Sequence, residues 1–310
     1  METIIMYGKP VAEDIKKEVK EWIERDLDHT PELLIVTIGD DDASKVYVRN
    51  KMKAAAEVGI NATNWRFTEQ DYFSGKVEEE FDRGFSEYDA VILQLPVPRW
   101  VDKTSLIEKI PYWKDVDGLT ITQRGRFEAV PNSCHPLDCL YPCTPQGVVD
   151  VLDNYIDLKT LKGKNAVVIG RSDLVGKPIA KLLLDLDMTV TTCHSKTENL
   201  AEHTQKADLL ICAAGKQGLI NASMVKEGVI IVDVSINRNE EGKLCGDVLF
   251  DEVAPKCKAI TPVPGGVGPM TVAMLMFNTY LAARDGKFWE HKENKILFSI
   301  HEEKEKEKIK

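Results

Sequence analysis

The sequence predicts a two-domain α/β protein, and three observations carry that prediction. Short apolar runs alternate with stretches of helical periodicity along the chain, as parallel strands joined by helices require. The 310 residues suffice for one large domain or two moderate ones. A strand–turn–helix unit at Asn165–Pro178 opens a second, Rossmann-like parallel sheet well after the first has ended.

In the first half, Val11, Ile15, Val19, Ile23 and Leu27 recur at intervals of four across Pro10–Asp28, a helical stripe. Leu33-Leu34-Ile35-Val36 reads as a strand buried on both faces. Gly39 and three aspartates end it, and Ser44 is the expected N-cap of the next helix. On that helix Val48, Met52, Ala55 and Ala56 form the core stripe. Tyr47 and Lys51 lie together at its edge, at about 100° of rotation per residue. A lysine there is partly desolvated, which disfavours its charged form. The spacing alone equally fits an i,i+4 surface pair. Tyr-x-x-x-Lys also occurs in short-chain dehydrogenases, but there it follows the glycine-rich cofactor turn, the reverse of the order here.

Asn61–Thr68 reads as a strand and Phe73–Phe85 as one charged helix. Ala90-Val-Ile-Leu93 is a buried strand that ends at Gln94 before a double-proline turn. Ligands bind beyond the carboxyl ends of parallel strands, and the Gln94 amide offers both a donor and an acceptor; it could also serve only loop backbone. Asp115-Val-Asp117-Gly118, read alone, is a turn. Leu119–Tyr141 reads as a surface excursion, and Gly147–Tyr155 as a helix spanning the cleft.

In the second half, Asn165–Gly170 is a strand leading into Arg171-Ser-Asp-Leu-Val-Gly176-Lys-Pro178. Pro178 is expected at the first helical position. The turn departs from G-x-G-x-x-G, but backbone N–H groups at a helix start can receive phosphate. Thr189–Cys193 is the next strand. It runs into His194-Ser195-Lys196-Thr197, without the acid that would bind ribose hydroxyls. With Arg171 on the neighbouring turn, this loop favours a 2′-phosphate and hence NADP over NAD; a solvated polar loop is the plain alternative. Asp208–Gly215 and Val229–Asn237 read as further parallel strands. Thr261–Pro269 packs three glycines and three prolines into nine residues, a loop both preset and closely approachable. A helix from Met270 to Ala283 returns to the first domain. The partition is therefore 1–145 completed by a helix at 270–286, then 146–269, then a solvated charged tail at 287–310.

Composition narrows the function classes. A net charge of −10 gives nucleic acid no electrostatic footprint. No apolar run approaches the ~18 residues of a membrane span, and the N-terminus lacks the order of a signal peptide. Seven cysteines, an odd number, suit reduced thiols in a cytoplasmic compartment. Cys134, His135, Cys139 and Cys143 fit no closed zinc spacing, so no metal is expected.

Several motifs are similar to those of the bifunctional methylenetetrahydrofolate dehydrogenase/methenyltetrahydrofolate cyclohydrolase family. They are the stretch around Tyr47 and Lys51, Gln94-Leu-Pro-x-Pro98, Lys114-Asp-Val-Asp117-Gly118, Pro142-Cys-Thr-Pro145, Gly170-Arg-Ser-x-x-Val-Gly-x-Pro178 and Thr261–Thr271. The resemblance covers about Ile15–Ala283. It implies a catalytic folate-binding domain and an NADP-binding domain that pair as a homodimer. It also implies NADP-dependent oxidation of 5,10-methylenetetrahydrofolate, then hydrolysis to 10-formyltetrahydrofolate, within one-carbon metabolism and purine biosynthesis. It places Lys51 as proton carrier, Tyr47 and Gln94 as its orienters, and Asp117 on the pterin. Leu93, Leu95 and Pro264, Gly265, Gly266, Val267 and Gly268 would touch the folate. Gly170, Arg171, Ser172, Ser195 and the backbone of Ile236 would touch the cofactor. The segment after Gly118 is longer than the family pattern, with Gln123 where asparagine is usual. Two other functions stay compatible with the residues: a dehydrogenase without cyclohydrolase activity, and a non-catalytic folate-binding protein. The second is disfavoured by the presence of Lys51.

Overall fold

The computed structural model describes residues 2–129 and 139–286, the side chains of positions 42 and 43 excepted. Its first strand, β1 (Ile4–Ile5), pairs in parallel with Cys257–Ile260 at the far edge of the second sheet. The sequence reading groups residues 1–145 together; these two belong instead to the other sheet. The chain then enters α1 (Gly8–Asp26), which starts two residues before the expected Pro10. Proline is tolerated there because first-turn N–H groups have no intrahelical partner.

The first sheet is built from β2 (Glu32–Ile38), β3 (Asn61–Phe67) and β4 (Ala90–Leu93) in the order β3-β2-β4, all parallel. Central β2 alternates between two cores. Leu33 and Ile35 pack with Val19 of α1 and with Val48 and Ala55 of α2 (Asp42–Val58). Leu34, Val36 and Ile38 face Phe67, Phe81, Phe85 and Leu106 on the opposite side. A strand covered on both faces reads as a continuous apolar run, which is what β2 shows.

The single helix expected over Phe73–Phe85 is two, α3 (Glu69–Phe73) and α4 (Lys76–Arg83), broken at Ser74–Gly75. Next come α5 (Lys103–Glu108) and α6 (Ile121–Ala129). The second of these corrects the reading of 119–141 as a surface excursion. Gln123 and Phe127 are buried, and Phe127 packs with Cys139 and with Leu182 of the second domain.

From α7 (Cys143–Tyr155) the chain enters the second domain. There β5 (Asn165–Ile169), α8 (Gly176–Asp185), β6 (Thr189–Cys193), α9 (Leu200–Thr204), β7 (Leu209–Cys212) and β8 (Val229–Asp233) follow in turn. A small antiparallel ribbon of β9 (Asn237–Arg238) and β10 (Leu244–Cys245) precedes α10 (Phe250–Val253) and β11 (Cys257–Ile260). The sheet runs β1-β11-β8-β7-β5-β6 with every pair parallel. Strand order reverses between β5 and β7, so their carboxyl ends flank a crevice of the kind that holds nucleotides. Pro178 is the third residue of α8, not the first, because the helix begins at Gly176.

The last described helix, α11 (residues 267–286), crosses back. Met274, Leu275, Tyr280 and Leu281 pack into the core beneath β2. Asn278, 1% exposed, donates to the carbonyls of Val116 and Tyr141 at 2.8 Å each.

Candidate active site

Helix α2 is positioned by its ends. Asp41 is the N-cap, and its carboxylate accepts from the Ser44 N–H at 2.7 Å and the Ser44 hydroxyl at 2.8 Å. Ser44, expected as the cap, is its partner. These bonds hold the Asp41 carboxyl below the usual carboxylate range, the backbone bond contributing most. The buried face comprises Ser44, Val48, Lys51, Ala54, Ala55 and Val58. Ala56, assigned to that face from the sequence, is exposed.

Lys51 is 8% exposed, and its Nζ donates to Gln94 Oε1 at 2.9 Å. The glutamine is held in turn: its backbone N–H donates to Val36 O at 2.8 Å, and its Nε2 donates to Leu95 O at 2.6 Å. Gln94 thus sits at the carboxyl end of β4 with its oxygen fixed toward the ammonium. Leu93 and Leu95 turn their side chains into the core, the first wholly and the second partly.

Two aspartates follow with different fates. Asp115 is buried and accepts the Thr120 N–H at 2.7 Å, and burial pushes its carboxyl up to about 6. Asp117 is half-buried beside Cys143. The Cys143 thiol is pushed well above its usual range, first by burial and then by the Asp117 carboxylate, while the Lys51 ammonium acts the other way. Lys51, Gln94, Asp117 and Cys143 therefore form one cluster. The sequence reading missed Cys143 as a member; Pro142-Cys-Thr-Pro145 was the available signal. Its Sγ donates to Val116 O at 3.2 Å.

Tyr47 stands apart from this cluster. It is 40% exposed, and Gln94 rather than Tyr47 holds the lysine. Tyr47 lines a cleft of about 630 Å³ between α2 and the loops after β8 and β11, with Asn50, Ile236 and Pro264–Gly268. Lys51 lies on the neighbouring flank of the same helix, beyond Tyr47.

The remaining predicted residues gather around the β5–α8 turn. Gly170 donates its N–H to Cys193 O at 2.9 Å, which ties the Arg171 turn to the end of β6. A Cβ on Gly170 would lie 2.3 Å from Ala213 O, and one on Gly176 would lie 2.3 Å from Gly170 O. Only glycine permits this close passage, a cradle suited to a pyrophosphate. Ser172 Oγ accepts the Val175 N–H at 3.2 Å and shapes the turn. Arg171 and Ser195 are exposed. After β6, His194 N donates to Thr197 Oγ1 at 2.8 Å, closing the loop without an acid at 194–197. These features fit a dinucleotide bearing an extra phosphate. Of the cysteine–histidine group, Cys134 and His135 lie outside the described residues. Cys139 and Cys143 are buried thiols.

A parallel-sheet dinucleotide domain joined to a second α/β domain that holds a buried lysine–glutamine pair defines a two-domain oxidoreductase. The chain belongs to the tetrahydrofolate dehydrogenase/cyclohydrolase family: the family's catalytic domain matches residues 6–117 and its NAD(P)-binding domain matches residues 142–287. It is an enzyme with both activities. The bifunctional protein FolD of Nitrosospira multiformis is 44% identical over 288 residues, covering 91% of this chain and 96% of that one. FolD of Bacillus subtilis is 43% identical over 293 residues, covering 92% and 99%. Among solved structures, Campylobacter jejuni FolD superposes with a TM-score of 0.83 at 40% identity, covering 92% of this chain and 99% of its own. The Trypanosoma brucei dehydrogenase-cyclohydrolase, complexed with NADP and an inhibitor, gives 0.84 at 32% identity, with the same coverages.

Proposed function

We propose that the chain oxidises 5,10-methylenetetrahydrofolate with NADP and hydrolyses the methenyl product to 10-formyltetrahydrofolate, both in the cleft between the sheets. The observation that carries the residue assignment is the buried Lys51–Gln94 hydrogen bond beside Asp117. A pterin presents two parallel N–H donors on its 2-amino-4-oxopyrimidine edge, and the Asp117 carboxylate can accept both. That anchors the one-carbon bridge near Lys51. NADP, when bound, supplies the hydride acceptor. Gly170 and Ser172 would cradle its pyrophosphate, with Arg171 and Ser195 on the 2′-phosphate and the Ile236 backbone beside the nicotinamide.

In that step Lys51 enters as the neutral amine, takes a proton from the water attacking the methenyl carbon to become the ammonium, and returns one as the ring opens. Gln94 keeps the ammonium aimed by accepting one of its N–H groups. Tyr47 and the Pro264–Gly268 backbone wall the folate. Steady-state assays of both steps with NADP and NAD test this; absence of NADP-linked oxidation would reject it.

The same reading makes the protein a cytoplasmic supplier of one-carbon units for purine biosynthesis. Among the described residues no helix is long and apolar enough to cross a membrane. We also propose a homodimer paired through the second domain, where β6 is an uncovered edge strand. Light scattering is expected to give twice the chain mass at micromolar concentration; a monomer mass throughout would reject it.

A further inference from the structure

The second domain contains a buried carboxylate that the chemistry above does not use. Asp247, 0% exposed, accepts five hydrogen bonds. Its Oδ2 receives the N–H of Ala214 at 2.7 Å, the N–H of Gly215 at 3.2 Å and the hydroxyl of Ser235 at 2.7 Å. Its Oδ1 receives the N–H of Lys216 at 2.7 Å and Asn237 Nδ2 at 3.0 Å. No salt bridge to Asp247 occurs among the described residues, so dipoles alone carry its charge.

The donors come from two places, and both are significant. Residues 214–216 follow β7, and residues 235–237 follow β8, at the carboxyl edge where a parallel sheet holds its ligand. Ile236 lies between the two side chains tied to Asp247 and lines the cleft beside Gly268. A neighbouring acid secures the segment that presents Asp247. Asp233 accepts the Val248 N–H at 2.9 Å and the Ser235 N–H at 3.1 Å. Gly246 is required there, because a Cβ would fall 2.0 Å from Asp233 Oδ2.

We propose that Asp247 is a positioning residue for the oxidation step: it clamps the loops after β7 and β8 together and thereby fixes the Ile236 backbone against the nicotinamide. The proposal rests on the assignment of Ile236 to the cofactor. Asp247 touches neither substrate nor cofactor and acts through Ser235 and Asn237.

Asp247→Asn tests it with little change of volume. Both carboxylate oxygens receive donors, so either amide orientation turns an NH₂ toward N–H groups and breaks at least two bonds. With hydrogen bonds to a charged group worth roughly tenfold or more each, kcat/KM for NADP-linked oxidation should fall about a hundredfold. Hydrolysis of methenyltetrahydrofolate, which takes place at Lys51, should fall no more than about twofold, because the first domain is untouched. Ser235→Ala, which removes one donor, should lower oxidation about tenfold with hydrolysis again retained, and it serves if Asp247→Asn does not fold. Equal loss of both activities in Ser235→Ala, or unchanged oxidation in both variants, overturns the proposal. A wild-type protein inactive with NADP would instead overturn the underlying assignment.

Discussion

Lys51 and Asp247 are both charges carried into the interior, 8% and 0% exposed, and the chain satisfies them very differently. Asp247 receives five donors from two segments. Lys51 has three N–H groups, yet among the described residues its one hydrogen bond is to the neutral oxygen of Gln94. A buried charge whose bonding capacity the chain meets holds structure; one left under-met is available to a ligand.

The sharpest way to break this comparison is at Lys51. Lys51→Met keeps the aliphatic stem and removes the proton carrier. Hydrolysis of methenyltetrahydrofolate should fall ~10²–10⁴-fold, the usual contribution of a positioned acid/base, with the thermal transition retained. A rate near wild type would make Lys51 a structural cation after all.

A smaller effect is expected at exposed Arg171. Hydrogen bonds to a charged group are worth roughly 1.5–3 kcal/mol, so Arg171→Ala should lower kcat/KM for NADP about ten- to a hundredfold. The value for NAD should change much less, because NAD lacks the 2′-phosphate. Equal losses with both cofactors would return Arg171 to the scaffold.

The smallest effect is on stability, through Asp233. Burial first, and the Asp247 charge second among the effects that raise it, push its carboxyl up to about 7. An unfolded aspartate titrates near ~3.9, so the folded state holds this proton more tightly. The resulting stability is present below about pH 4 and is lost as pH rises through about 7. Wild type should therefore lose several degrees more in Tm between pH 5.5 and pH 8 than Asp233→Asn does, by calorimetry. Identical slopes would show that Asp233 does not titrate in that window.

How much of this could be read in advance follows from range of contact. Strands such as Leu33–Val36 and Val229–Val232 announce themselves because burial on both faces demands unbroken apolar runs. Lys51 was legible from its place at the edge of one helix, and the acid-free loop after Cys193 from the chain alone. The cap of α2 was misread because Asp41 and Ser44 are both good caps and only geometry shows which accepts. Asp247 carried no such signal: its partners lie up to 33 residues away in sequence, and the fold alone brings them to it. The destination of β1 was hidden for the same reason, since two isoleucines do not name the strand they will join.

That exchange of termini also sets an order of events during synthesis. The first sheet emerges early, yet the core beneath β2 stays incomplete until Met274–Leu281 of α11 leave the ribosome. The second sheet in turn takes in β1, which precedes the whole first sheet in the chain and must wait for β11. Each domain thus has a piece held by the other end of the chain, and translation that stops before α11 leaves an open apolar groove in the first.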